Sequence, residues 1–206
     1  MAVDPRKRQK KLERRKAKQK AERRQLAERN PNSLAARFEQ AAKAPVLHCC
    51  MMEEIWKFGI GQVHVNRQLS NGQVAFASFL VDIYCLGVKN VIAEVAARSK
   101  YDMDMYDKLA QRSTLIRMKP ECARKFVEGA VEYARDLGFQ PHREYQTAKL
   151  IFGDISAEAC TEEFKFGKDG KPLFIAGPKD SSARCEDILR TLGYGHNIEE
   201  ERLLIE

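Results

Sequence analysis

No run in this chain approaches the roughly 18 consecutive apolar residues that a membrane-spanning helix needs. The N-terminus is charged where a secretory signal is apolar, so no membrane partner and no export are expected. A mitochondrial presequence fits poorly as well. Such segments are Ser-rich and amphipathic, whereas here no Ser precedes Ser33, and only Leu12 and Leu26 are large and apolar between Arg6 and Arg29. The reading is a cytoplasmic protein. No CxxC pair occurs among Cys49, Cys50, Cys85, Cys122, Cys160 and Cys185, and in a reducing compartment all six are expected to stay thiols. Vicinal Cys49-Cys50, beside His48 and Met51-Met52, cannot close one tetrahedral site, so these residues read as packing groups of a buried strand or turn. No metal or cofactor is expected. No Walker loop is present, and neither a Ser-His-Asp nor a Cys-His arrangement can be assembled from spacing.

What the chain does have is segregated charge. Thirteen cations lie between residues 6 and 29: Arg6, Lys7, Arg8, Lys10, Lys11, Arg14, Arg15, Lys16, Lys18, Lys20, Arg23, Arg24 and Arg29. Only Glu13, Glu22 and Glu28 oppose them, giving this segment +10. The whole chain holds 36 Lys and Arg against 29 Asp and Glu, which leaves 23 basic and 26 acidic residues, a net of −3, for the rest. A block of this size is an electrostatic footprint for a polyanion, chiefly nucleic acid, with RNA expected before DNA. The segment has no Gly, no β-branched residue and no Pro after Pro5, so helix propensity is high. It also has no apolar stripe to bury, so a free tail is expected to be disordered or transiently helical and to order on phosphates. Residues 1–32 therefore read as a basic tail and 33–206 as a domain, with two lobes meeting near 113–119 as an option.

The domain reads as α+β, with two β-hairpins and four or five helices. Ser33 caps a short helix from Leu34 to Lys43 that Pro45 ends, and Glu53 to Phe58 forms a helical turn closed by Gly59. Asn71-Gly72 between two β-rich runs predicts the first hairpin. A two-residue turn there pairs Leu69 with Val74, Arg67 with Phe76, Val65 with Ser78, Val63 with Leu80 and Gly61 with Asp82. Its second strand, Gln73 to Leu86, is apolar on both faces and so is expected to be central. Pro120 at a first helical position, Glu121, Arg135 and Gly138 bound the clearest helix, whose stripe is Ala123, Phe126, Val127, Ala130, Ala134 and Leu137. Pro141 to Phe152 reads as another short helix closed by Gly153, with a pattern that also suits a strand. Asp169-Gly170 predicts a second hairpin over residues 164–175, and Ala183 to Leu192 a last helix.

Three places carry candidate chemistry. Lys165, Lys168 and Lys171 alternate with Phe164, Phe166 and Phe174. They offer either a stacking and phosphate platform for single strands or an ordinary hairpin with Phe inward and Lys outward. Gly177 to Ser182 precedes a helix and admits either a phosphate or simple capping. Asp82, in an apolar strand, must pair, hydrogen-bond or hold a raised pKa. Its apolar strand followed by Gly87-Val88-Lys89-Asn90 resembles the first catalytic strand of RuvC-like nucleases of the RNase H superfamily. The resemblance spans Val81 to Asn90 and departs where Ile83 to Leu86 intervene before the glycine. It implies metal-dependent phosphodiester cleavage with Asp82 as a metal ligand. The other reading has Asp82 accepting hydrogen bonds from a neighbouring loop or pairing with Lys89. The string Asp102 to Asp107 lacks an EF-hand glycine and reads as a helix through Tyr101, Met105 and Leu109. A non-enzymatic nucleic-acid-binding accessory protein, for RNA or a ribonucleoprotein, is the first functional expectation. A metal-dependent nuclease or other phosphoesterase is the alternative.

Overall fold

The computed structural model describes residues 30, 32–103, 107–178 and 180–194. Their core is a five-stranded antiparallel sheet: β1 (Val46–Met52), β2 (Ile60–Gln68), β3 (Gln73–Asp82), β4 (Gly87–Ala97) and β5 (Leu115–Arg117), in spatial order β4-β3-β2-β1-β5. The α-helical segments are α1 (Leu34–Ala41), α2 (Ile55–Phe58), α3 (Arg98–Tyr101), α4 (Asp107–Arg112), α5 (Pro120–Asp136), α6 (Tyr145–Ala148) and α7 (Ser182–Thr191). A 3₁₀ turn, Lys149–Phe152, continues α6. The chain is thus α+β, and no helix among the described residues is long and apolar enough to cross a membrane.

Period-two alternation decides which face is buried by helices. Val63, Val65, Ala75, Ala77, Phe79, Val81, Val91 and Val95 pack against α1, α5 and the α6 turn, in one cluster that includes Phe38, Phe126, Val127 and Phe152. That cluster also takes in Ile116 of β5 at its margin. Arg67 faces the same side. Its guanidinium donates from Nε to Ile151 O (2.7 Å), from Nη1 to Ala44 O (2.6 Å) and from Nη2 to Phe152 O (2.8 Å), which also accepts from Ile155 N, so that the carbonyls after α1 and in the 3₁₀ turn are satisfied. The opposite face carries His48, His64, Asn66 and Ser78, and at one end Val74, Phe76 and Ala96 lie under Tyr101. Asn66 donates to the Tyr101 hydroxyl at 2.7 Å.

The α5 signals hold to the residue: Pro120 opens it, Arg135 sits in its last turn, and Gly138 follows at φ +93°. Ser33 caps α1 by accepting from Ala36 N. The first hairpin forms in a different register. Gln68 pairs with Val74, Val65 with Ala77, Val63 with Phe79 and Ile60 with Asp82. The reason is the turn: Gly72 N donates to Leu69 O and Leu69 N to Gln73 O, closing a three-residue loop with Gly72 at φ +79°. This is a type I turn followed by a left-handed glycine, not the two-residue turn expected. One residue of slip moves Phe76, Ser78 and Leu80 to the far face and puts Ala77, Phe79 and Val81 beside Val63 and Val65. β3 ends at Asp82 rather than Leu86, because residues 83–86 turn into β4. The second expected hairpin is reduced to its tip, a single bridge between Lys168 and Lys171. Two of the cysteines expected as thiols, Cys122 and Cys160, are joined, bringing residues 38 apart in sequence together.

Candidate nucleic-acid interface

The thirteen cations from Arg6 to Arg29 lie outside the described residues, as does the terminal stretch beyond 194. Within the domain, Lys165, Lys168 and Lys171 are all exposed on an arm, residues 160–178, that is anchored at both ends. At its start the Cys122–Cys160 bond ties it to α5, and Lys125 Nζ on the same helix donates to Cys160 O (3.1 Å) and Glu162 O (2.7 Å). Phe164 then meets Phe126 edge-on at 5.0 Å, and Phe166 stacks on Tyr133 at 5.9 Å. Phe174 packs beside Cys85, Leu86 and Ile188. The alternation therefore resolves with Phe inward and Lys outward, and the phenylalanines are not free to stack on a ligand.

Three loops converge beside the lysine turn. Ile83 N donates to Gly59 O (2.8 Å), Gly167 N donates to Ile83 O (2.8 Å), and Leu173 N donates to Tyr84 O (3.2 Å). Asp82 holds the strand end that receives them: its Oδ1 accepts from Tyr84 N and Cys85 N, each at 3.0 Å. Burial raises the Asp82 pKa, opposed by those amides and by the Lys89 charge. Its oxygen is thus committed to an Asx-type turn, and among the described residues no three His, Cys, Asp or Glu side chains gather to hold a metal. Gly59 sits at φ +72° with Tyr84 against it, where a Cβ would lie 2.1 Å from the ring.

This junction places α2 next to the lysine turn and exposes a pair of aromatics that sequence reasoning treated only as a helical turn. Trp56 is 45% exposed and Phe58 53% exposed. Trp56 is supported from behind, stacked near-parallel on Phe164 at 6.4 Å and edge-on to Phe126 at 5.6 Å. Lys57 Nζ lies 5.1 Å from the Phe58 ring centre, and Lys168 Nζ lies 5.8 Å from that of Tyr84. The outcome is a corner with two solvent-facing aromatic rings and four exposed lysines, 57, 165, 168 and 171, on rigid supports. The signal in the sequence was Trp56-Lys57-Phe58, an aromatic pair around a cation just before a helix-ending glycine.

Other candidates resolve into structure. At the start of α7, Asp180 Oδ2 accepts from Gly177 N (2.9 Å) and Ser181 Oγ accepts from Arg184 N (3.3 Å), so capping occupies the loop read as a phosphate cradle. Cys50 lies opposite His64 in the β1–β2 pairing. Burial pushes the Cys50 thiol up to about 11 and the His64 imidazole down to about 4, which removes both thiolate and imidazolium at neutral pH and with them a Cys-His nucleophile. Cys49 is raised further, to about 12, by burial and then by Cys50. Of the acidic string, Asp102 pairs with Arg98, residues 104–106 lie outside the described residues, and Leu109 is described only in its backbone. No family model, no curated protein and no solved structure matches this chain.

Proposed function

We propose that this is a non-enzymatic nucleic-acid-binding accessory protein for RNA or a ribonucleoprotein, anchored by its cationic N-terminal segment. The observation that carries the reading is the charge division: +10 within residues 6–29 on a chain whose remainder is −3. Such a segment supplies sequence-independent affinity by releasing counterions from phosphates. The Trp56–Phe58 corner supplies what the tail cannot, a preference for unpaired bases, since rings held open to solvent beside lysines suit single strands. Lys57, Lys165, Lys168 and Lys171 then follow the backbone beside the stacked bases. Asp82 serves this corner as the carboxylate that shapes the turn beneath it.

Trp56 is the only tryptophan, so its fluorescence reports on the corner directly. Single-stranded RNA is expected to quench it, and Trp56→Ala with Phe58→Ala to cost about 1–3 kcal/mol per stacked base while leaving duplex binding unchanged. Replacing the thirteen tail cations by Gln is expected to flatten the salt dependence. With six phosphates engaged, the parent chain loses roughly a thousandfold in affinity between about 50 and 200 mM salt. Equal affinity and equal salt slope with and without those cations would refute the proposal. Divalent-metal-dependent cleavage that disappears in Asp82→Asn would replace it with the nuclease alternative.

A further inference from the structure

Two cavities in the domain differ in their charge. The larger, about 590 Å³, sets Lys43, Arg124 and Lys149 against Glu39, Glu128 and Asp154, and so neutralises itself. The smaller, about 230 Å³, has an apolar floor of Leu86, Val88, Phe139 and Ile188. Its polar lining is Lys89, Gln140, His142 and Arg184, and no carboxylate lines it. Its two cations, Lys89 and Arg184, share one carboxylate, Asp180, so the cavity keeps an excess of one positive charge on a domain that is acidic overall, which favours an anion.

The backbone is built to put Lys89 there. The β3–β4 ladder shifts register between Leu80 and Val81, so that Leu80 pairs with Asn90 and Val81 with Val88, leaving Lys89 as the extra residue of a bulge. A bulge re-aims a side chain. The Lys89 side chain is only 12% exposed, yet its ammonium stands 3.6 Å from Asp180 Oδ2, beyond a normal hydrogen bond. Asp180 already accepts from Gly177 N and faces Arg184 Nε at 3.4 Å from its other oxygen. Asp180 thus pairs with both cations, one carboxylate for two positive charges. The outer nitrogens of Arg184, on a side chain 57% exposed, and the Gln140 amide complete the donor set.

We propose that this cavity binds a phosphate monoester that carries one ring-sized organic group. A guanidinium and an ammonium converging from two elements match the oxygens of a phosphate, and the floor with Phe139 receives the attached ring. The volume falls below the roughly 300–1,000 Å³ typical of sites for larger ligands, so the cavity takes the phosphate and the ring bonded to it, the sugar in a nucleotide, and leaves the base outside. The same chemistry is offered by a free nucleoside monophosphate and by the 5′-phosphate end of an RNA. The assignment stands on the cavity alone and is independent of the tail.

The test uses the full chain, amide NMR and calorimetry, with four probes: inorganic phosphate, adenosine 5′-monophosphate, and one short RNA with either a 5′-phosphate or a 5′-hydroxyl. Binding is expected to shift the amides of Leu86, Phe139 and Ile188, and R184Q to weaken it about tenfold or more. R184Q alters a side chain that is 57% exposed, so folding is retained. Shifts with adenosine 5′-monophosphate support a free metabolite as the source. Shifts only with the 5′-phosphorylated RNA, absent with the 5′-hydroxyl form, support the nucleic-acid end. Phosphates held only by the basic segment leave those three amides still and R184Q without effect, and that result overturns the site.

Discussion

Acidification should destabilise the fold through one residue on the far face of the sheet. His64 is 4% exposed, its Nε2 has no hydrogen-bond partner among the described residues, and its cross-strand neighbours are Cys50 and Ser78. Burial holds its pKa down to about 4, against 6.5 for the free side chain. Between those values the unfolded chain takes up the proton and the folded chain does not. Stability is therefore full above about pH 6.5 and is lost as pH falls through the interval. The gap of about 2.5 units, at about 1.36 kcal/mol each, amounts to about 3 kcal/mol. For a domain of this size that corresponds to a fall of roughly 6–12 °C in Tm.

Other groups titrate nearby, so the difference from a variant is the quantity to measure. His48 is lowered, by burial first, and adds in the same direction. Asp82 is raised by burial, so its ionisation costs stability as pH rises and acid relieves that cost, an opposing slope. His64→Leu removes only the His64 contribution. Near neutral pH the variant should match or exceed the parent by about 1 kcal/mol, because a buried unpaired polar atom goes with the ring. Urea denaturation from about pH 7 to about pH 4.5 should then show the variant gaining on the parent by most of the 3 kcal/mol. Parallel curves for the two proteins would refute the reasoning and place a proton or partner on His64 in the folded state.

Arg67→Met should cost about 3–5 kcal/mol in the same denaturation assay, since it strands the carbonyls of Ala44 and Ile151 and takes one of two donors from Phe152 O. Cys122→Ser, or reductant on the parent, should lower stability by up to about 4 kcal/mol, the chain-entropy value for a 38-residue loop. Intact-mass comparison before and after reduction checks that the bond exists in the purified protein. Gly59→Ala should cost about 3 kcal/mol, combining a left-handed backbone with a Cβ driven into Tyr84, and circular-dichroism melting reads it out.

Features written in local chemistry were legible in the sequence. The ends of α5 follow from Pro120 and Gly138, the cap of α1 from Ser33, and the existence of the first hairpin from Asn71-Gly72. The register was not legible from β3, because a strand apolar on both faces accepts either phase. β2 carried the missing information, since Gln62, His64 and Asn66 alternate with Val63 and Val65, and only the observed pairing sets that row against Ser78. β4 escaped because the bulge at Lys89, near its start, breaks its alternation. β1, with His48, Cys49, Cys50 and two methionines, has little β-branched character and was legible only as a buried strand or turn, of which the strand is found, and β5 is three residues long. The Cys122–Cys160 bond joins α5 to a loop 38 residues away, a proximity that only tertiary packing creates. The exposed aromatics of α2 were hidden for the opposite reason: apolar residues are assumed to face inward, and Trp56 and Phe58 do not.

That exception bears on how the tail and the corner divide their work under the proposed function. The arm from residue 161 to 175 carries Lys165, Lys168 and Lys171 but also Glu162, Glu163 and Asp169, so it is neutral as a unit. It cannot draw a polyanion from a distance, and screening over about 8 Å at physiological salt limits its lysines to contacts already made. Long-range capture must come from residues 6–29. Discrimination must come from rigid surface chemistry, which the corner has: Trp56 lies against Phe164 and Phe126, and the turn below it is held by the Asp82 carboxylate. Loss of the tail cations should therefore slow association and flatten its salt dependence, whereas loss of Trp56 and Phe58 should speed dissociation from single strands at any salt concentration.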